Sequence, residues 1–131
     1  MSRPLSVLIV EDSRTQALLL RCMLEQAGCV PCVAENAMVA LDCIHAALPD
    51  LIVSDANMPG MSGIELLKAL KHDATTRAVP FVLMTASDTP DVADAARAAG
   101  ALAVIEKPIS PEHLHTLIAT LSAMSRPESH A

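Results

Sequence analysis

Five side chains able to do chemistry stand where short apolar runs of the sequence stop. Val7-Leu8-Ile9-Val10 ends on Glu11 and Asp12, Leu51-Ile52-Val53-Ser54 on Asp55, the run opened by Phe81 on Thr85, and Val104-Ile105-Glu106 on Lys107. Any one of these could be a helix cap or a turn residue; the repetition at successive run ends is what singles them out. Carboxylates brought together repel, so they either hold their protons to higher pH or share a cation. A hard divalent ion such as Mg²⁺, which takes one or two carboxylates together with water and phosphate oxygens, suits this donor set. With the ion among Asp12, Asp55 and Glu11, one Asp55 oxygen stays free to attack phosphorus and form an acyl phosphate. Lys107 and the Thr85 hydroxyl would offset the charge of the incoming group. Phosphoryl transfer asks for little more than positioning and charge neutralisation.

The elements that must position these residues are legible as five strand-like runs alternating with five helical patterns. Strands are expected over 7–10, 30–34, 51–55, 81–85 and 103–106. Ser13-Arg14-Thr15-Gln16 reads as a capping box opening a first helix that Gly28 stops. Ala17, Leu20, Leu24 and Ala27 share its inner face, with Leu18 and Cys22 pointing away. Asn36 caps a second helix to about residue 48, and a third over 64–72 turns Ile64, Leu67 and Leu70 inward and Lys68 and Lys71 outward. Thr89-Pro90 opens a fourth helix closed by Gly100, and Ser110-Pro111 opens a fifth that ends near 124. Pro31 cannot donate a ladder hydrogen bond, which makes the second strand an edge. The alternation predicts an α/β fold: a five-stranded parallel doubly wound sheet in order 2-1-3-4-5 with helices on both faces, flavodoxin-like. Ligands then bind beyond the carboxyl ends of the strands, between strands 1 and 3. One domain is expected over 1–124, followed by a short polar tail over 125–131.

Composition removes several alternatives. A net charge of −6 and a single aromatic, Phe81, disfavour nucleic-acid binding and leave nothing to stack on a flavin. No Gly-rich strand-to-helix turn supports a dinucleotide. No apolar stretch nears the ~18 residues of a membrane span, and residues 1–10 do not read as a secretory signal, so a cytoplasmic protein is expected. Cys29 and Cys32 have redox-motif spacing, but they follow a helix stop and enter a strand, where thiolate activation is not expected. His45, His72, His113, His115 and His130 read as surface residues. From 88 to 125 the acids Asp88, Asp91, Asp94, Glu106 and Glu112 face only Arg97 and Lys107, poorly suited to a charge-paired dimer.

These residues in this order make the sequence resemble the receiver domain of bacterial two-component response regulators, over residues 7–121. The matching features are Glu11-Asp12, Asp55 within SDANMPGMSG, Thr85 followed by the small Ala86, and Lys107-Pro108. The resemblance implies Mg²⁺ held by Asp12, Asp55 and the backbone carbonyl of Asn57, with Glu11 acting largely through water. It implies a phosphoryl group taken onto Asp55 from a histidine kinase or histidine phosphotransfer protein and relayed to a downstream protein; the acidic composition, the missing membrane span and the cation-poor 88–125 segment add the expectation of no direct DNA binding, no membrane insertion and a monomer or weak dimer. It implies a cis bond at Lys107-Pro108, and a switch whose only chemistry is self-phosphorylation and autodephosphorylation. Two departures stand out: Val104 where the family commonly has Tyr or Phe, and Ile109 where Phe is frequent. Movement on phosphorylation is therefore expected in the loop 86–89 and the helix carrying Ala93, Ala95, Ala96, Ala98 and Ala99, with the last strand nearly fixed. Helix 1, through Leu18, is the expected docking surface for the phosphodonor. A metal-dependent aspartyl-phosphate hydrolase is the alternative, but Asp55-Ala56-Asn57 lacks the second acid of that type. An unphosphorylated scaffold is the other, and the intact set of site residues argues against it.

Overall fold

A computed structural model describes residues 4–86 and 90–124, so the expected cap at Thr89, most of the 86–89 loop and the tail 125–131 lie outside the described residues. The elements run β1 (Ser6–Val10), α1 (Arg14–Gln26), β2 (Val30–Ala34), α2 (Ala37–Ala46), β3 (Leu51–Asp55), α3 (Gly63–Lys71), β4 (Phe81–Thr85), α4 (Pro90–Ala98), β5 (Ala103–Glu106) and α5 (Pro111–Met124). The sheet order is β2-β1-β3-β4-β5 with every pairing parallel, as the alternation demands. β3 and β4 are buried at every position, while β2, which carries Pro31, is partly exposed along most of its length. That contrast is the one between strands covered on both faces and an edge strand.

Successive strand residues feed two separate core layers. Leu8, Val10, Ile52, Phe81 and Leu83 pack with Ala40, Ile44, Leu66, Leu67 and Ala96, which places α2, α3 and α4 on one face. Val7, Ile9, Val53, Val82 and Met84 pack with Leu20, Leu24, Leu114 and Ile118, which places α1 and α5 on the other. Cys29 belongs to this second layer, whereas Cys32 is in register with Leu8 of the first. The redox spacing thus spans two faces, and the four cysteines are free.

Helix termini show where side-chain chemistry overrides pattern. Asn36 accepts from the Val39 N–H (2.9 Å), as expected of a cap. α2 ends at Ala46, short of residue 48, and α3 starts at Gly63 because Ser62 and Glu65 make a reciprocal capping box. The box expected at α1 is only half formed. Ser13 Oγ accepts from Gln16 N–H (3.3 Å), but the Ser13 N–H donates to Glu11 Oε2 (3.1 Å) rather than to Gln16. The inner face of α1 is Ala17, Leu20 and Leu24, with Ala27 half-buried, and that of α3 is Leu66, Leu67 and Leu70, with Ile64 half-buried. The Lys107-Pro108 peptide is cis.

Candidate functional site

At the carboxyl end of the sheet the ladder continues one step beyond three of the strands. Glu11 N–H donates to the Ala34 carbonyl (3.0 Å), Ala56 N–H to Met84 (2.8 Å) and Lys107 N–H to Thr85 (2.7 Å). The backbone at or beside each reactive residue is therefore pinned where its strand ends. α3 supports the rim from beneath. Gly63 N–H donates to the Ala56 carbonyl (3.0 Å), and its Cα comes so close that a side chain there would meet the Asp55 carbonyl oxygen. Only glycine permits this approach.

Glu11, Asp12 and Asp55 each offer a carboxylate oxygen, all within 4.8 Å of one another. Asp12 is exposed, but Glu11 and Asp55 are only 2% and 8% exposed, which makes their mutual repulsion poorly screened. Burial, reinforced by the charge of Asp55, holds the Glu11 carboxyl above its ordinary range against the opposing effects of the Ser13 N–H and Lys107. Lys107 Nζ lies 3.0 Å from Asp55 Oδ1 and 3.2 Å from Glu11 Oε1. One ammonium does not neutralise three carboxylates. The donor set is all oxygen, clustered and undercompensated, and it fits a hard divalent cation.

Among the expected site residues, Glu11, Asp12, Asp55 and Lys107 meet at this rim. Thr85 is buried at the end of β4, one residue beyond Met84, which pairs with Asp55. Asn57 is exposed in the loop leaving β3. Val104 sits half-buried against the α2–α3–α4 layer. Two residues next to the site escaped the sequence reading. Gln16, taken as a capping residue, places Oε1 2.6 Å from Lys107 Nζ. Its place in the first turn of a helix that opens directly after Asp12 is the signal that could have found it. Leu19, exposed like Leu18, lines an open cleft with Gln16, Lys107, Pro108 and Ile109. Leu18 lines another on the far side, beside Glu11, Asp12 and Val39.

Residues 7–119 match the model of the response regulator receiver domain. The chain is 36% identical to the polar-differentiation response regulator DivK of Brucella anthropi, over 87% of this chain and 94% of that protein. It is 35% identical to the phosphate regulon transcriptional regulatory protein PhoB of Klebsiella pneumoniae, covering 92% of this chain but 51% of that one. The crystal structure of the signal receiver domain of a histidine kinase from Syntrophus aciditrophicus superposes with a TM-score of 0.86 at 32% identity, covering 94% of this chain and 93% of that one.

Proposed function

The chain belongs to the response regulator receiver family of two-component signalling, and from that premise we propose that Asp55 accepts a phosphoryl group in a Mg²⁺-dependent reaction. The observation that carries the proposal is the cluster itself: three carboxylates within 4.8 Å of one another and an ammonium 3.0 Å from Asp55. An Asp55 carboxylate oxygen forms the new bond to phosphorus while the donor's phosphorus–nitrogen bond breaks and its electron pair returns to the imidazole of a histidine kinase or histidine phosphotransfer protein. Asp12, Asp55 and the Asn57 carbonyl would hold Mg²⁺, with Glu11 acting largely through water. The ion would supply positive charge for the phosphoryl oxygens. Lys107 turns its ammonium on the same oxygens, and the Thr85 hydroxyl donates to them.

Residues 1–124 form the receiver unit in this reading, working in the cytoplasm as a monomer or weak dimer and signalling to a protein rather than to DNA. Family members are switches rather than turnover enzymes, so the output is conformational. Val104 is β-branched, with few rotamers to exchange and too little length to replace a ring. The movement therefore falls on the loop 86–89 together with α4. Treatment with a small-molecule phosphodonor should give a base-labile phosphate on the wild-type protein, none on Asp55→Asn and none without Mg²⁺. Equal labelling of the variant, or labelling undiminished by a chelator, would overturn the proposal.

A further inference from the structure

Lys107 Nζ faces three acceptor oxygens: it donates to Gln16 Oε1 at 2.6 Å and to Glu11 Oε1 at 3.2 Å, and forms an ion pair with Asp55 Oδ1 at 3.0 Å. Two of these acceptors change character in the proposed reaction, since Asp55 becomes an acyl phosphate and Glu11 faces the cation. The third is a neutral amide on another element, and neither event consumes it. Its availability has a local cause. In a completed capping box the Gln16 side chain would accept from the Ser13 N–H, but Glu11 Oε2 already holds that donor (3.1 Å). Gln16 is thereby released to reach across the rim, while its own N–H on Ser13 Oγ keeps the first turn of α1 in place.

We infer that Gln16 is a positioning residue for Lys107: its amide oxygen holds the ammonium over the rim from the α1 side, leaving the rest of the ammonium to turn from the carboxylates to the phosphoryl oxygens. The inference rests on Asp55 being the phosphoryl acceptor. An amide suits the task because it orients the ammonium without adding a fourth negative charge to the cluster.

Gln16→Met keeps the length and helix propensity of the side chain and removes the acceptor; Gln16→Glu keeps an acceptor. With a small phosphodonor at saturating Mg²⁺, Gln16→Met should label about fivefold more slowly, the effect of losing one hydrogen bond of ordinary strength. Gln16→Glu should restore the ordering of Lys107 but only part of the rate, because its acceptor returns together with a fourth negative charge. Mg²⁺ affinity by calorimetry should be the same in Gln16→Met and wild type. In a Lys107→Ala background Gln16→Met should cost nothing further, because the group it positions is gone. Equal slowing in both backgrounds, or none in the first, would overturn the inference. A separate readout needs no phosphoryl transfer: ¹³C relaxation at the Lys107 ε-carbon should show a more mobile side chain in Gln16→Met. Unchanged mobility would refute the role of Gln16, whereas wild-type protein that fails to label would refute the role of Asp55.

Discussion

Replacing Gly63 by alanine tests the packing that holds Asp55 in place. The added Cβ would press on the Asp55 carbonyl oxygen and lie 2.7 Å from Leu83 Cδ1 and 3.1 Å from Ala56 Cα. Leucine can rotate, but the other two are backbone atoms of a laddered strand end, so α3 and β3 must separate. Overpacking of a core costs about 1–3 kcal/mol, and backbone opposition puts this site in the upper part of that range. Alanine's helix preference over glycine returns at most about 1 kcal/mol. The net expectation is a loss of about 2 kcal/mol, or a urea midpoint lower by about 1 M at a slope of roughly 2 kcal/mol/M. Gly60→Ala is the control. Nothing lies within 4 Å of a Cβ there, so its cost is confined to the strain of a positive φ, on the order of 1 kcal/mol. Because Asp55 belongs to the displaced strand end, Gly63→Ala should also slow its labelling under conditions where the protein is still folded. A Gly63→Ala protein as stable as Gly60→Ala would refute the close-approach argument.

At the opposite end of the sheet, Asp50 Oδ2 accepts from the Ser6 N–H (2.8 Å) and hydroxyl (3.2 Å). Asp50→Ala should lower stability by about 1–2 kcal/mol and leave Mg²⁺ affinity unchanged; a shift in Mg²⁺ affinity would show that this end communicates with the site. Burial raises the thiols of Cys29 and Cys43, the latter also through the neighbouring Cys32 sulfur, so both have less thiolate at a given pH. Their alkylation should begin at higher pH than that of a free thiol such as glutathione, and Cys43 reacting at the pH where glutathione does would contradict this. Leu18→Asp and Leu19→Asp should each slow transfer from a partner phosphoprotein while sparing labelling by a small donor; equal slowing of both routes would indicate damage to the fold. Amide exchange with and without a phosphoryl mimic should change over 86–99 and stay constant over 103–105; the reverse pattern would place the relay in β5.

Much of this architecture is legible in the chain because its punctuation is local. β2, β3, β4 and β5 fall where expected, since Gly28 and Asn36, Pro49, Pro80, and Pro108 bound them with residues that cannot continue a strand or that begin a helix. The site was legible for a related reason: once strand order is known, residues at strand ends share a rim. What could not be read is anything that depends on competition between distant groups. The Ser13–Gln16 pattern is a valid capping signal, yet Glu11 wins the donor. Residues 29 and 32 have the spacing of a redox pair, yet the sheet sends them to opposite layers. Leu19 escaped because a helical wheel shows that it leaves the core, not that it borders Lys107. The capping box of Ser62 and Glu65 is masked in the sequence by the Pro and Gly residues that surround it.

The alternation of β3 between two core layers bears on how this protein can tolerate insertions and deletions. Ile52 faces the layer of α2, α3 and α4, while Leu51 and Val53 face that of α1 and α5. Deleting one residue from this strand would exchange the two sets, because side chains change faces at every position. It would also withdraw Asp55 from the rim by one strand step, about 3.3 Å, more than its present separation from Lys107. Reading-frame-preserving changes in length are thus filtered twice at the same place, once by the cores and once by the carboxylate. Loops at the amino end of the sheet face neither filter, and length variation should accumulate there.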